Sequence, residues 1–182
     1  SPQCNPLGPQ ISCSNSTPGQ GAVEEFVYQS SAITIAGTPP AAGWIFAYQN
    51  CCRNAAITNL QNPSSSGFTL RAKMFAYNNM NTNPCYDNSP EFLESPKTIT
   101  CTGYPFTYNH NAVDAELDSL VYAWDQPLDV YQASPPVYNP TPIPFAATFS
   151  YTSPLPGPAL DPNNVAAVLN TSTGEIAYTS FT

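Results

Sequence analysis

Asp114-Ala-Glu116-Leu-Asp118 gathers three of the chain's twelve acidic residues into one short run. On an extended backbone, positions i, i+2 and i+4 project to one side, so the three carboxylates would converge. Converging carboxylates repel unless a cation sits among them, and a hard oxygen-ligand set of this kind suits calcium. A second acidic, amide-rich patch, Asp87-Asn88-Ser-Pro-Glu91-Phe92, supplies further oxygens if it folds over the first. The run is not an EF-hand, because it lacks the central Gly and the final Glu of that loop. The competing reading is a solvated turn ahead of a strand, with no metal.

Other chemistry is harder to assemble. His110 is the only histidine, which removes zinc triads and any site needing several imidazoles. A Ser–His–Asp arrangement through His110 has no G-x-S-x-G elbow to support it. Between Asn109 and Asn111, this histidine reads as a turn residue. Carboxylate pairs for glycoside hydrolysis can be drawn from twelve acids, but the sequence does not pair them. Trp44, Trp124 and eleven tyrosines raise a sugar-stacking option. The alternation of Leu120, Tyr122 and Trp124 reads instead as packing.

Six cysteines, Cys4, Cys13, Cys51, Cys52, Cys85 and Cys101, form an even set that fits neither a zinc pattern nor a redox CxxC motif. They point to an oxidising, extracytoplasmic setting with up to three disulfides, fifteen pairings being open. The alternative is a set of free thiols in a reducing compartment. Adjacent Cys51 and Cys52 are expected to reach separate partners and knot the N-terminal segment to the sheets. Each bridge closing a long loop would stabilise by about 2–4 kcal/mol.

Composition narrows the function classes. Charged residues make up 9% of the 182 residues, and four cations against twelve acids give a net charge of −8. Nucleic-acid binding and polybasic membrane tethering need clustered Lys and Arg, so both are excluded. Twenty-one prolines break up long helices. No apolar run is long enough for a transmembrane helix. Hydrophobic residues at 42% argue against disorder. The sequons at Asn15 and Asn170 carry little weight in a chain so rich in Asn, Ser and Thr. The opening Ser-Pro-Gln-Cys has no leader and reads as a mature or excised segment.

These residues must be positioned by strands. Phe26–Tyr28, Ile33–Ile35 and Trp44–Tyr48 are strand-like apolar runs. Phe68–Met74 alternates cleanly, with Phe68, Leu70, Ala72 and Met74 on one face and Thr69, Arg71 and Lys73 on the other. An Asn/Asp/Pro-rich stretch before Pro96 reads as a linker. Beyond it, strands are expected at Thr98–Cys101, Pro105–Tyr108 and Ser119–Trp124. A hairpin joins Val165–Leu169 to Glu175–Tyr178 through the turn Asn170-Thr-Ser-Thr-Gly174. Strong helix signals are absent.

Asp87-Asn-Ser-Pro-Glu-Phe92, Ala112-Val-Asp-Ala-Glu-Leu-Asp-Ser-Leu-Val-Tyr122 and Thr173-Gly-Glu-Ile176 together resemble a cadherin-type repeat. That resemblance implies calcium held by Asp87, Asn88, Glu91, Asp114, Glu116 and Asp118, with Glu116 standing where the family has Asp. Trp44-Ile-Phe-Ala-Tyr-Gln-Asn-Cys-Cys-Arg-Asn-Ala-Ala-Ile-Thr-Asn59, with Asn88-Ser-Pro and Cys101, resembles the large surface adhesins of gliding Bacteroidota, SprB-like proteins exported by type IX secretion. That second resemblance implies a segment of a long extracellular fibre.

The expectation is therefore an all-β chain of two consecutive antiparallel β-sandwich modules, Ig- or cadherin-like and disulfide-stapled. Residues 1–21 form an irregular pinned segment, 22–92 a first module, and 93–182 a second, incomplete one. The expected role is structural rather than enzymatic, in a cell-surface or secreted fibre that displays and spaces modules. Partners would be neighbouring modules or copies of the same protein, with surface polysaccharide or substratum as further targets. The rival is a carbohydrate-binding or accessory module of a secreted glycan-active protein.

Overall fold

The computed structural model describes residues 27–76, 88–94, 100–131 and 138–182. The chain divides into two compact units, Ser1–Ala36 and Gly37–Thr182. In the first unit, residues 27–36 are not strand, and Val27, Tyr28, Ile33 and Ile35 are exposed. The strands expected there are absent among the described residues, because β-branched and aromatic residues form strands only when a ladder partner is present. Phe26 lies outside the described residues.

The second unit is all-β. Among the described residues, seven strands run in chain order: β1 Trp44–Asn50, β2 Phe68–Met74, β3 Glu91–Phe92, β4 Phe106–Tyr108, β5 Ala112–Val113, β6 Val165–Leu169 and β7 Ile176–Thr179. They make small antiparallel sheets, β1–β2, β3–β5 and β4–β7–β6. The described residues contain no α-helix, only a 3₁₀ turn at Pro63–Ser65. None of their helices is long and apolar enough to cross a membrane.

β1 and β2 pair in continuous register from Trp44↔Met74 to Asn50↔Phe68. Opposed residues of an antiparallel pair share a face. One face of this ribbon thus carries Trp44, Phe46, Tyr48, Phe68, Leu70 and Met74. The other carries Ile45, Ala47, Gln49, Thr69, Arg71 and Lys73. Both faces are partly covered: Trp44, Tyr48, Phe68 and Met74 are half-buried on the first, and Thr69 and Gln49 anchor the second, whose Ile45, Ala47, Arg71 and Lys73 are exposed. Thr69 is buried and its hydroxyl donates to the Asp129 carbonyl at 2.6 Å, and Gln49 Oε1 accepts the Tyr131 N–H at 3.0 Å. On the apolar face, Leu70 remains 62% exposed.

Among the described residues the buried apolar centre is small: Leu60, Leu128 and Ile143, the last 2% exposed. Bridges Leu60↔Phe145 and Leu128↔Pro142 bring these residues together. Gln61 N–H to the Pro144 carbonyl, Ala146 N–H to Asn59 and Ile143 N–H to Pro127 continue the same framework. Residues on either side of the expected module junction thereby share backbone hydrogen bonds. Buried Asn164 ties the end of the chain down, accepting the Phe181 N–H at 2.7 Å and donating to the Gly157 carbonyl at 3.1 Å.

The expected hairpin forms as β6–β7. Asn170 Oδ1 accepts the N–H groups of Ser172 and Thr173, and Gly174 closes the turn at φ +75°. The Tyr122 ring lies against Gly174, where a Cβ would sit 2.6 Å from the ring. Ser119–Trp124 is extended in its burial, with Leu120, Tyr122 and Trp124 more covered than their neighbours, yet it is not a strand. Among the described residues, one backbone bond, Tyr122 N–H to Thr171, stands where a ladder was expected. Of the strand expected at Thr98–Cys101, residues 98 and 99 lie outside the described set, and residues 100 and 101 are not strand.

Candidate functional site

The two acidic patches do meet. β3 pairs with β5 through Glu91↔Val113 and Phe92↔Ala112, which runs the 88–94 segment beside 110–116. Asn88 then donates its side-chain amide to Glu116 Oε1 and its backbone N–H to Glu116 Oε2. The acidic run itself is a turn, not the extended chain expected. Asp114 Oδ1 accepts the N–H groups of Glu116 and Asp118, both at 3.0 Å, and the Asp114 carbonyl accepts that of Leu117, which has φ +65°. An Asp side chain that captures downstream backbone donors bends the chain on itself. The three carboxylates therefore do not line one side.

Calcium takes six to eight oxygens. Among the described residues no group of three or more His, Cys, Asp or Glu converges on one point. The carboxylate oxygens of Glu116 and Asp114 hold N–H donors instead. Asp87 lies outside the described residues.

Cys51 and Cys52 are joined to each other across a cis peptide, with Cα atoms 3.0 Å apart, rather than each reaching a distant partner. Cys101 is exposed and makes no disulfide with another described residue. Cys4, Cys13 and Cys85 lie outside the described residues. His110 packs against aromatic rings, with Tyr108 edge-on at 4.7 Å and Phe92 at 5.0 Å, and its Nδ1 is 3.2 Å from the Tyr108 hydroxyl. Phe106 stacks near Tyr108 and meets Tyr178 edge-to-face at 5.4 Å. Trp44 and Trp124 are half-buried.

The site that sequence reasoning missed is cationic. An open cleft of about 390 Å³ lies between β2 and the Asp125–Leu128 segment, with Arg53 and Arg71 in its lining. Arg53 is fixed from two sides: Nε donates to the Gly67 carbonyl at 2.9 Å and Nη2 to the Leu128 carbonyl at 3.2 Å. Burial lowers its pKa from the ordinary arginine value, and the charge of Asp129 acts against that. Asp129 Oδ1 is itself held by the Gly67 and Val130 N–H groups, each at 2.7 Å. Arg71 donates to Tyr138 Oη at 3.4 Å and pairs with Asp125 at 3.1 Å. The Tyr138 hydrogen bond, with Asp125 adding to it, raises its pKa despite partial burial. Both guanidinium groups stay charged at any working pH. The available signal was modest: two of four cations sit on the polar face of Phe68–Met74. What the sequence hides is that Arg53 joins Arg71 in the lining of one cleft across the fold.

No protein-family model, curated protein or solved structure matches the chain.

Proposed function

We propose that this chain is a structural segment of a secreted or cell-surface fibre or adhesin, acting by display and spacing of β modules. The observation that carries the reading is the exposure of apolar sheet residues, Phe46 and Leu70 on the first ribbon and Val165 and Val168 on β6. Sheets left this open suit a unit covered by neighbouring modules or copies in a tandem assembly. Low charge and the abundance of Asn, Thr and Tyr support contact with a polysaccharide or a solid substratum. An oxidising exterior fits the disulfide. Two sandwich-like modules, the second cadherin-like, remain the finer form of the proposal. Calcium, held by Asp87, Asn88, Glu91, Asp114, Glu116 and Asp118, belongs to the same reading.

Antibodies raised against the segment test it directly on intact cells of the source organism. Surface labelling that protease shaving removes is the expected result. Signal confined to a lysed, reducing fraction would overturn the proposal.

A carbohydrate-binding role is the second reading. Tyr104 and Phe92 are well exposed, Phe92 beside His110, which in turn meets Tyr108, and aromatic faces stack on pyranose rings. Glycan-array binding that Tyr104→Ala abolishes would favour it over the fibre.

A further inference from the structure

The outer edge of β2 is chemically unlike the rest of the molecule. Thr69 turns its N–H away from β1 and donates it to the Leu128 carbonyl at 3.1 Å. Along a strand, alternate residues direct their backbone groups to the same side. The register is continuous here, so Arg71 and Lys73 also direct their N–H and C=O groups outward. Among the described residues, Thr69–Leu128 is the one backbone bond on that edge. Beyond it the Asp125–Leu128 segment stands off and leaves the cleft.

Charge is concentrated at the same place. Arg53, Arg71 and Lys73 are three of the four cationic residues in a chain of net charge −8. Arg53 donates to two carbonyls and has the Asp129 charge beside it, which leaves Arg71 and Lys73 as the cations of the edge itself. Arg71 has Asp125, whose side chain is 71% exposed, so this ion pair is a weak and exchangeable one. Lys73 is exposed and makes no ion pair among the described residues. Unpaired strand edges recruit other strands, and Lys on an edge ordinarily discourages that. An acidic strand reverses the effect, because its carboxylates neutralise the very residues that repel other partners.

We propose that the β2 edge from Arg71 to Lys73 docks an extended acidic peptide strand. Its backbone continues the β1–β2 ladder, and carboxylates at alternate positions meet Arg71 and Lys73. The i, i+2 spacing of the two cations sets the i, i+2 spacing of the acids. This goes beyond the fibre reading and stands or falls without it.

The test uses the full chain, isotope-labelled, and three probes: a short peptide alternating Glu with Val, its Gln-for-Glu counterpart, and an oligogalacturonate. The Glu peptide is expected to bind and to slow amide exchange at Arg71 and Lys73. The Gln peptide is expected to bind about tenfold more weakly. Lys73→Pro, which removes one outward N–H and no bond to β1, is expected to abolish binding. Because the first comparison uses the unaltered chain, a variant that fails to fold does not decide the outcome. Equal binding of the two peptides would overturn the proposal, as would no binding at all. Oligogalacturonate binding without protection of the two amides would also overturn it, showing a carboxylate site that takes no strand.

Discussion

Removing Arg53 is the most informative perturbation of the fold. Its guanidinium spans the Gly67 and Leu128 carbonyls, which lie far apart in sequence, and it sits beside the Asp129 charge. Hydrogen bonds from a charged donor contribute about 1.5–3 kcal/mol each when buried. Arg53 is only partly covered, and water can replace some of what is lost. We therefore expect Arg53→Met, which keeps the aliphatic stem, to cost about 2 kcal/mol in total. For a chain of this size that corresponds to a Tm lowered by about 4–8 °C. Urea unfolding followed by tryptophan fluorescence should show a lower midpoint with an unchanged slope, the slope reporting surface exposed on unfolding. Arg53→Lys should recover roughly half the loss, since an ammonium is a point donor and does not reproduce the two-carbonyl fork. If Arg53→Met loses less than about 0.5 kcal/mol, the residue is not a staple and the reasoning fails. Full recovery by Lys would show that charge beside Asp129 matters and the fork does not.

Other substitutions separate backbone conformation from packing. Gly174→Ala meets both a positive φ and the Tyr122 ring, whereas Gly37→Ala meets a positive φ with open space around it. Thermal unfolding should show Gly174→Ala as the more costly change, by about 1 kcal/mol or more. Asn164→Ala leaves the Phe181 N–H without its acceptor, while the Gly157 carbonyl keeps the Leu160 N–H. It should cost about 2 kcal/mol and speed hydrogen exchange at the Phe181 amide. A bridge between neighbours in sequence closes almost no loop, so Cys51→Ser with Cys52→Ser should change the urea midpoint by less than about 1 kcal/mol. If calcium is held at the acidic turn, saturating calcium should raise Tm by an amount equivalent to about 2–3 kcal/mol, and Asp118→Asn should reduce that gain. An unchanged Tm in calcium and in chelator would remove the ion from the reading.

The parts of the fold legible in the sequence are those set by local rules. β2 occupies the expected residues because alternation is a property of neighbouring side chains, and β6–β7 follows from the Asn170–Gly174 turn chemistry. β3 and β5 are two residues each and exist only because Glu91 and Phe92 find Val113 and Ala112. No local pattern announces such a pairing. Ser119–Trp124 illustrates the reverse: its alternation is real, but alternation describes burial and does not supply a ladder. At the site, the meeting of Asn88 with Glu116 was foreseeable from two oxygen-rich patches, while the bend at Asp114 was not, because the reading assumed extended backbone. The Arg53 cleft depends on bonds to residues 67 and 128, and that long-range closure leaves no mark on the sequence near residue 53.

The β1–β2 ribbon leaves Phe46 and Leu70 open to solvent on one face. Water is a poor solvent for such a ribbon, and whatever worsens it further drives separate molecules together. Sulfate and other excluded salts should salt this chain out early, and dilute urea should keep it dispersed well below the concentration that unfolds it. A purified sample will thus report the state of that one face before it reports anything about the interior.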